Sequence, residues 1–190
     1  MSLSIQSITD HHFTVTEEPL VNYKGILTLS TKWIELAKEK MKTAKCSNES
    51  FEHLILVLEG IQANIRLNQE MYEGFCQLFQ SNALFVCRNE QSFIEGIGIF
   101  AKRDREIVWL ASHPKNLPHP IYDASRVHGV GTTMIQHFAA ITLKQGMSLS
   151  VIPKNTAVGF YKKLGFEWKT ETTMHLTSAK IEALLKRTHR

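Results

Sequence analysis

The residues most able to do chemistry fall in two short stretches. In Arg126-Val127-His128-Gly129-Val130-Gly131-Thr132, two glycines stand one residue apart, just before an amphipathic run from Thr132 to Lys144. A tight, side-chain-poor turn opening a helix leaves backbone N–H groups unpaired and pointing the same way, which suits a pyrophosphate. Gly129 and Gly131 remove side chains where backbone has to approach phosphate. Val130 can pack inward, and Thr132 can offer both N–H and hydroxyl at the helix start. The second stretch, Asn155-Thr156-Ala157-Val158-Gly159-Phe160-Tyr161, follows a strand-like run from Met147 to Ile152 and carries a phenol on a small-residue helix. Together they point to a phosphorylated carrier held at one end, with chemistry at the other. Each also has a plainer reading. Glycine-rich turns open many helices, a tyrosine can pack its ring and leave its hydroxyl on the surface, and Asn155 can simply cap its helix.

Other phosphate-binding patterns fit less well. There is no Gly-Lys-Ser/Thr, which disfavours a P-loop nucleotide hydrolase. A dinucleotide fold asks for Gly-x-Gly-x-x-Gly, whose last position here is Met134, and for an acidic ribose partner further on, where the chain reads Val151-Ile152-Pro153. The histidines, including His11-His12, show no metal-ligand spacing, so no metal is expected.

The two stretches resemble the cofactor motifs of a known family. Arg126-x-x-Gly129-x-Gly131 is similar to the Arg/Gln-x-x-Gly-x-Gly/Ala signature of the GCN5-related N-acetyltransferases. Asn155, Ala157, Phe160, Tyr161, Leu164, Gly165 and Phe166 are similar to that family's second cofactor motif, one helix and one strand later. The resemblance covers roughly Ala83 to Thr177, about half the chain. It implies acetyl-CoA as co-substrate and direct attack by an acceptor amine while both substrates are bound. It implies that the backbone of Arg126, Val127, His128, Gly129, Val130, Gly131 and Thr132 holds the pyrophosphate. Asn155 would meet the pantetheine arm, and Tyr161 would protonate the departing thiolate.

The strand Glu106 to Ser112 comes next. Simple alternation puts Glu106, Val108, Leu110 and Ser112 on one face. The resemblance implies that this strand bulges near its end, with N–H groups around Leu110 and Ser112 binding the acetyl carbonyl. A carboxylate four residues earlier, here Glu106, would act as general base. An amine is mostly protonated at neutral pH, so some group has to take its proton. Glu106 also follows a charged turn and can equally be a solvated side chain. The chain departs from the family pattern between Pro114 and Arg126, twelve residues where the family usually needs only a few. That insertion carries His119, Tyr122 and Asp123. His113 or His119 can replace Glu106 as base, since histidine titrates near neutrality.

The elements around these motifs can be read from periodicity. Ser30 or Thr31 is expected to cap a helix through about Lys45, with Trp33, Ile34, Ala37 and Met41 on one face. From Ser50 a long helix follows to about residue 80, which Gly60 or Gly74 can interrupt. Leu3 to Ile8 and Phe13 to Thr16 read as edge strands. Ala83–Arg88, Phe93–Ala101 and Glu106–Ser112 read as strands joined by polar turns. Then come a helix over 132–145, strands at 147–152 and near Phe166, a helix over 155–164, a strand over Met174–Leu176 and a terminal helix over Ala179–Lys186. The expected class is α/β: a mixed, mostly antiparallel sheet flanked by helices, with an enlarged helical N-terminal part. Residues 1–190 are expected to form one acyltransferase domain. Within it, 1–82 would form the acceptor side, 83–177 the acyl-CoA-binding core and 178–190 a terminal helix and tail.

Composition narrows the rest. Of the 190 residues, 43% are hydrophobic and 21% charged, ordinary for a globular chain, and no apolar run is long enough to span a membrane. The N-terminus does not read as a secretory signal. Cys46, Cys76 and Cys87 are odd in number and far apart, which favours a reducing cytoplasm and gives an acyl-cysteine route no support. Net charge is +4, with four basic residues in the last eleven and no basic stripe interleaved with aromatics, so nucleic acid is not an expected partner. The expected partner is an amine acceptor, small molecule or protein. A rival reading is a non-catalytic acyl-CoA sensor, which would keep the glycines without needing Tyr161. Another is an interaction protein built on the long helix.

Overall fold

The structure is a computed structural model that describes residues 3–6, 12–43, 49–73, 82–116 and 127–186. Its elements run β1 (Leu3–Gln6), β2 (His12–Glu17), α1 (Tyr23–Thr43), α2 (Glu49–Glu73), β3 (Asn82–Arg88), β4 (Ile94–Ala101), β5 (Glu106–Ser112), α3 (Val130–Leu143), β6 (Leu149–Val151), α4 (Val158–Lys163), β7 (Glu167–Trp168), β8 (Met174–Leu176) and α5 (Ser178–Lys186). The described strands form one sheet in the order β1-β2-β3-β4-β5-β6-β8-β7. All neighbours are antiparallel except β5 and β6, which are parallel and connected through α3. The expected mixed, mostly antiparallel sheet flanked by helices is what the molecule has.

Both faces of the sheet are covered, which is why β3 reads as an unbroken apolar run from Ala83 to Cys87. Phe85 and Cys87 point to a cluster with Met134, Ile135 and Phe138 of α3 and Ile181 and Leu184 of α5. Leu84 and Val86 point to the opposite cluster, with Trp33 of α1 and Phe51, Leu58 and Ile61 of α2. Full burial of each such side chain is worth about 1.5–3 kcal/mol, so packing rather than propensity holds the helices. Gly96 and Gly98 of β4 let α3 lie directly on the sheet. A Cβ at Gly96 would sit 2.7 Å from Val130 Cγ1, and one at Gly98 would sit 2.9 Å from Met134 Cε.

Several expectations are corrected. α1 begins at Tyr23, not near Ser30, because Tyr23 and Ile26 extend its buried stripe. Ser30 and Thr31 are interior and donate their hydroxyls back to the Leu27 carbonyl at 2.9 and 3.0 Å. α2 passes through Gly60 unbroken. A Cβ there would meet the Trp109 ring at 2.5 Å, so the glycine admits a tryptophan from β5. Gly74 lies outside the described residues. α3 starts at Val130, so the glycine pair straddles the helix start rather than preceding it. Asn155 does not cap a helix: it opens a 3-10 turn (Asn155–Ala157) whose N-cap is Lys154, and no side chain caps α4. No described helix is long and apolar enough to cross a membrane.

Candidate functional site

β5 and β6 pair only at Glu106–Ser150 and Ile107–Val151, and then diverge. The sheet is therefore split beside the second half of β5. On its other edge β5 stays paired with β4, and the His113 N–H bonds the Glu95 carbonyl at 2.8 Å. Antiparallel ladders alternate, so Leu110 and Ser112 turn their N–H groups toward the split.

A bulge changes which β5 side chains share a face. The register jumps from Ile99–Trp109 to Phe100–Ile107, leaving Val108 extra. Ile107 and Leu110 consequently lie on the α3 face, and Val108, Trp109 and Ala111 on the α1/α2 face. Glu106 pairs with Ala101, one step beyond Phe100, and so faces the α1/α2 side. It does not share a face with Leu110 and Ser112, which corrects the simple alternation. It also opens the strand, four residues or about 13 Å before Leu110, and is not among the residues that line the cavity described next.

That cavity, of about 570 Å³, occupies the split. Leu110, Ala111 and Ser112 form one wall, and Thr156, Ala157, Phe160, Tyr161 and Lys163 the other. Val127 to Gly131 close one end. Ser50, His53, Leu54 and Val57 of α2 close the opposite end.

The glycine end has the features of an anion cradle. Gly129 is left-handed (φ 89°, ψ −10°) and is the N-cap residue of α3, and among the described residues no side chain caps the helix there. The first intrahelical bond is Thr133 N–H to the Gly129 carbonyl at 2.8 Å, so the N–H groups of Val130, Gly131 and Thr132 point out of the helix end. Gly131 has a second reason to lack a side chain: its Cβ would lie 3.2 Å from Phe160 Cζ. Lys163 also lines the cavity.

A buried carboxylate, unforeseen in the sequence, anchors this loop. Glu95 is the extra residue of a β4 bulge, between Cys87–Gly96 and Arg88–Ile94, and is 0% exposed. It accepts bonds from Lys115 Nζ at 2.8 Å, Asn89 Nδ2 at 3.1 Å and Asn116 Nδ2 at 3.1 Å. Asn116 Oδ1 in turn accepts the Val127 N–H at 2.8 Å, tying together the two ends of the insertion.

Tyr161 is buried between Phe160 and Phe166, with ring centroids 5.1 and 5.3 Å away. It lines the cavity. Burial pushes its phenol well above the ordinary range, so it is a proton donor at neutral pH. Across the cavity, His53 Nδ1 lies 2.5 Å from Thr156 Oγ1. Burial and Lys154 hold its imidazole below the ordinary value, against an opposing pull from Glu49.

The structure thus brings together Leu110, Ser112, Val127, His128, Gly129, Val130, Gly131 and Tyr161. Thr132 stands in the first turn of α3, and Asn155 is exposed beside the lining residue Thr156, without lining the cavity itself. Arg126, His119, Tyr122 and Asp123 lie outside the described residues. His113 is not in the wall: it packs edge-on to Trp33 at 4.9 Å, and its Nδ1 accepts the Lys115 N–H. His53 and the other α2 residues were not foreseen, because contact with the second motif comes from 103 residues away and leaves no local pattern. Burial pushes the Cys87 thiol up to about 12. Among the described residues no group of three or more His, Cys, Asp or Glu is placed to hold a metal ion.

The sequence matches no protein-family model and no curated protein. Solved structures do match. Mutant forms of the spermidine/spermine N-acetyltransferase SpeG from Vibrio cholerae are 14% identical, over 90% of this chain and 96% of that one, with a TM-score of 0.53. The Vibrio cholerae spermidine N-acetyltransferase in complex with CoA and spermine is 12% identical, over 90% and 98%, with a TM-score of 0.50. Tetrahymena GCN5 is 17% identical, over 78% and 85%, with a TM-score of 0.39. The fold implied by the two sequence motifs, that of the GCN5-related N-acetyltransferases, is the fold of this molecule.

Proposed function

We propose that this chain, carrying the N-acetyltransferase fold, transfers the acetyl group of acetyl-CoA to an amine. One observation carries the reading: the uncapped N-terminus of α3 opens into a cavity that runs through the β5/β6 split and has the Tyr161 phenol in its wall. A pyrophosphate is anionic and multiply accepting, and fits the N–H groups of Val130, Gly131 and Thr132, with Lys163 adding charge. The pantetheine arm is long and thin and fits the split. The thioester then lies beside the Leu110 and Ser112 N–H groups.

The chemistry follows from that placement. As the amine nitrogen attacks, a C–N bond forms and charge moves to the carbonyl oxygen, where the turned-out N–H groups stabilise it. The C–S bond then breaks, and Tyr161 donates a proton to the departing thiolate, which develops charge only as the bond fails. Holding both partners in one cavity replaces an encounter in solution with a positioned attack.

Two measurements test the reading. Acetyl-CoA is expected to bind in calorimetry, and Gly131→Leu, which drives a side chain into Phe160, is expected to weaken binding at least tenfold. Thiol release is expected with at least one member of an amine panel: spermidine and spermine, the acceptors named for the structural neighbours, together with monoamines, amino acids and a lysine peptide. Binding without any turnover would favour the sensor, and no binding would overturn both.

A further inference from the structure

The His53 imidazole in the cavity wall is left unused by these steps, although an ammonium must lose a proton before its nitrogen can attack. We propose that His53 takes the proton from the acceptor amine, with Thr156 holding the ring in place; the proposal rests on the acetyltransferase reading above.

The cavity connects the two faces of the sheet. Leu110, Val127, Val130 and Tyr161 belong to the apolar cluster on the α3 side, and Leu54, Val57 and Ala111 to the cluster on the α2 side. The anion cradle is on the α3 side. An acceptor therefore reaches the thioester from the α2 side, where His53 stands in the wall. Among the described lining side chains, His53 and His128 carry an imidazole. His128 adjoins Gly129, at the anion end.

The ring is also oriented for the task. The Nδ1–Oγ1 contact at 2.5 Å bridges α2 to the 3-10 turn, across the split. We assign Nδ1–H as donor to Thr156, which leaves the lone pair on Nε2. Burial disfavours the imidazolium, Lys154 acts in the same direction and Glu49 opposes them. The resting ring is neutral and ready to accept. The proton moves from the ammonium to Nε2, giving the free amine and an imidazolium, and the imidazolium returns that proton to solvent after acyl transfer. The second amine proton is lost as the C–S bond breaks and, through solvent, replaces the one that Tyr161 gives to sulfur, so that Tyr161 is restored and one proton is released overall.

The test uses the full chain with acetyl-CoA and n-propylamine as the probe acceptor. His53→Gln is expected to bind acetyl-CoA as the wild type does, which also reports that the variant is folded. Its kcat/KM at pH 7 is expected to fall about 10²-fold or more. The wild-type profile should level off once the histidine is neutral. The variant should keep rising with the fraction of free amine, nearing the wild-type value at about pH 10. Added imidazole should restore part of the activity of His53→Gly, which a purely structural role would not permit. Thr156→Val should cost activity without changing the shape of the pH profile. A His53→Gln profile that overlays the wild type, or a His53→Gly variant as active as the wild type, would overturn the proposal. Failure of the wild type to bind acetyl-CoA would overturn the acetyltransferase reading itself, and this one with it.

Discussion

Tyr161 holds its proton because burial raises the cost of the phenolate, and no described residue bonds its hydroxyl. Among the described residues the phenol has no competing acceptor, and Tyr161 is one of those that line the cavity. Tyr161→Phe keeps the ring contacts with Phe160 and Phe166 and removes only the hydroxyl. The variant is expected to lose about 10²-fold in kcat with little change in acetyl-CoA affinity, since the hydroxyl acts on charge that exists only in the transition state. Equal turnover, measured where chemistry limits the rate, would remove Tyr161 from the mechanism. The same scale explains the misreading of Glu106. Its spacing from Leu110 is right for one face of a regular strand, and a single extra residue, Val108, turns it to the other.

At the scale of elements, the site depends on two bulges and a clamp. The β5 bulge reverses the facing of the strand, and the β4 bulge aims Glu95 at Lys115, Asn89 and Asn116. The clamp is Asn116, which fixes Val127 just before the left-handed Gly129. Asn116→Leu is expected to free the Val127 amide and loosen the helix start. Its signature is faster hydrogen exchange at Val127, together with at least tenfold weaker acetyl-CoA binding. The α3 core should stay protected, because Met134, Ile135 and Phe138 pack on the sheet independently of the clamp. Exchange at Val127 matching the wild type would show that the loop holds itself.

At the scale of the whole molecule, the sheet is sealed on both faces, and burial of polar groups then controls stability. His137 of α3 is 2% exposed, its Nδ1 has no partner among the described residues, and its ring lies 5.4 Å from that of Phe85. Burial, against a weaker opposing pull from Glu17, holds its pKa down from 6.5 to about 4. In the unfolded chain it returns to the ordinary value, so the unfolded state binds more protons between these limits. Stability is full above about pH 6.5 and falls as pH drops toward 4, by roughly 3 kcal/mol from this group. His53, His113 and His175, all lowered, act in the same direction. Glu18, lowered because its bonds to Arg88, Asn22 and Thr16 outweigh the cost of burial, adds its loss below the ordinary carboxylate value. His137→Leu is expected to flatten the decline in urea midpoint between pH 6.5 and 4.5. An unchanged slope would mean that the ring is reached by water.

What the sequence determined by itself was local. A glycine pair beside an apolar 3.6-residue period marks a helix start with spare N–H groups, and short apolar runs between polar turns mark β3, β4 and β5. Each of these signals is contained within about a dozen neighbouring residues and survives without knowledge of the fold. The start of α1 was blurred because Ser30 and Thr31 bond backward inside a helix as readily as they cap one. Gly60 looked like a breaker because its tryptophan partner is far away in the chain. Tertiary structure alone decided the rest. The β5/β6 divergence, the extra residues at Val108 and Glu95, and the closing of α2 over the split by His53 and Thr156 all depend on pairing between distant segments. A strand's face is set by its register with its neighbours, and a cavity by which helix lies over it; neither is a property of residues adjacent in sequence.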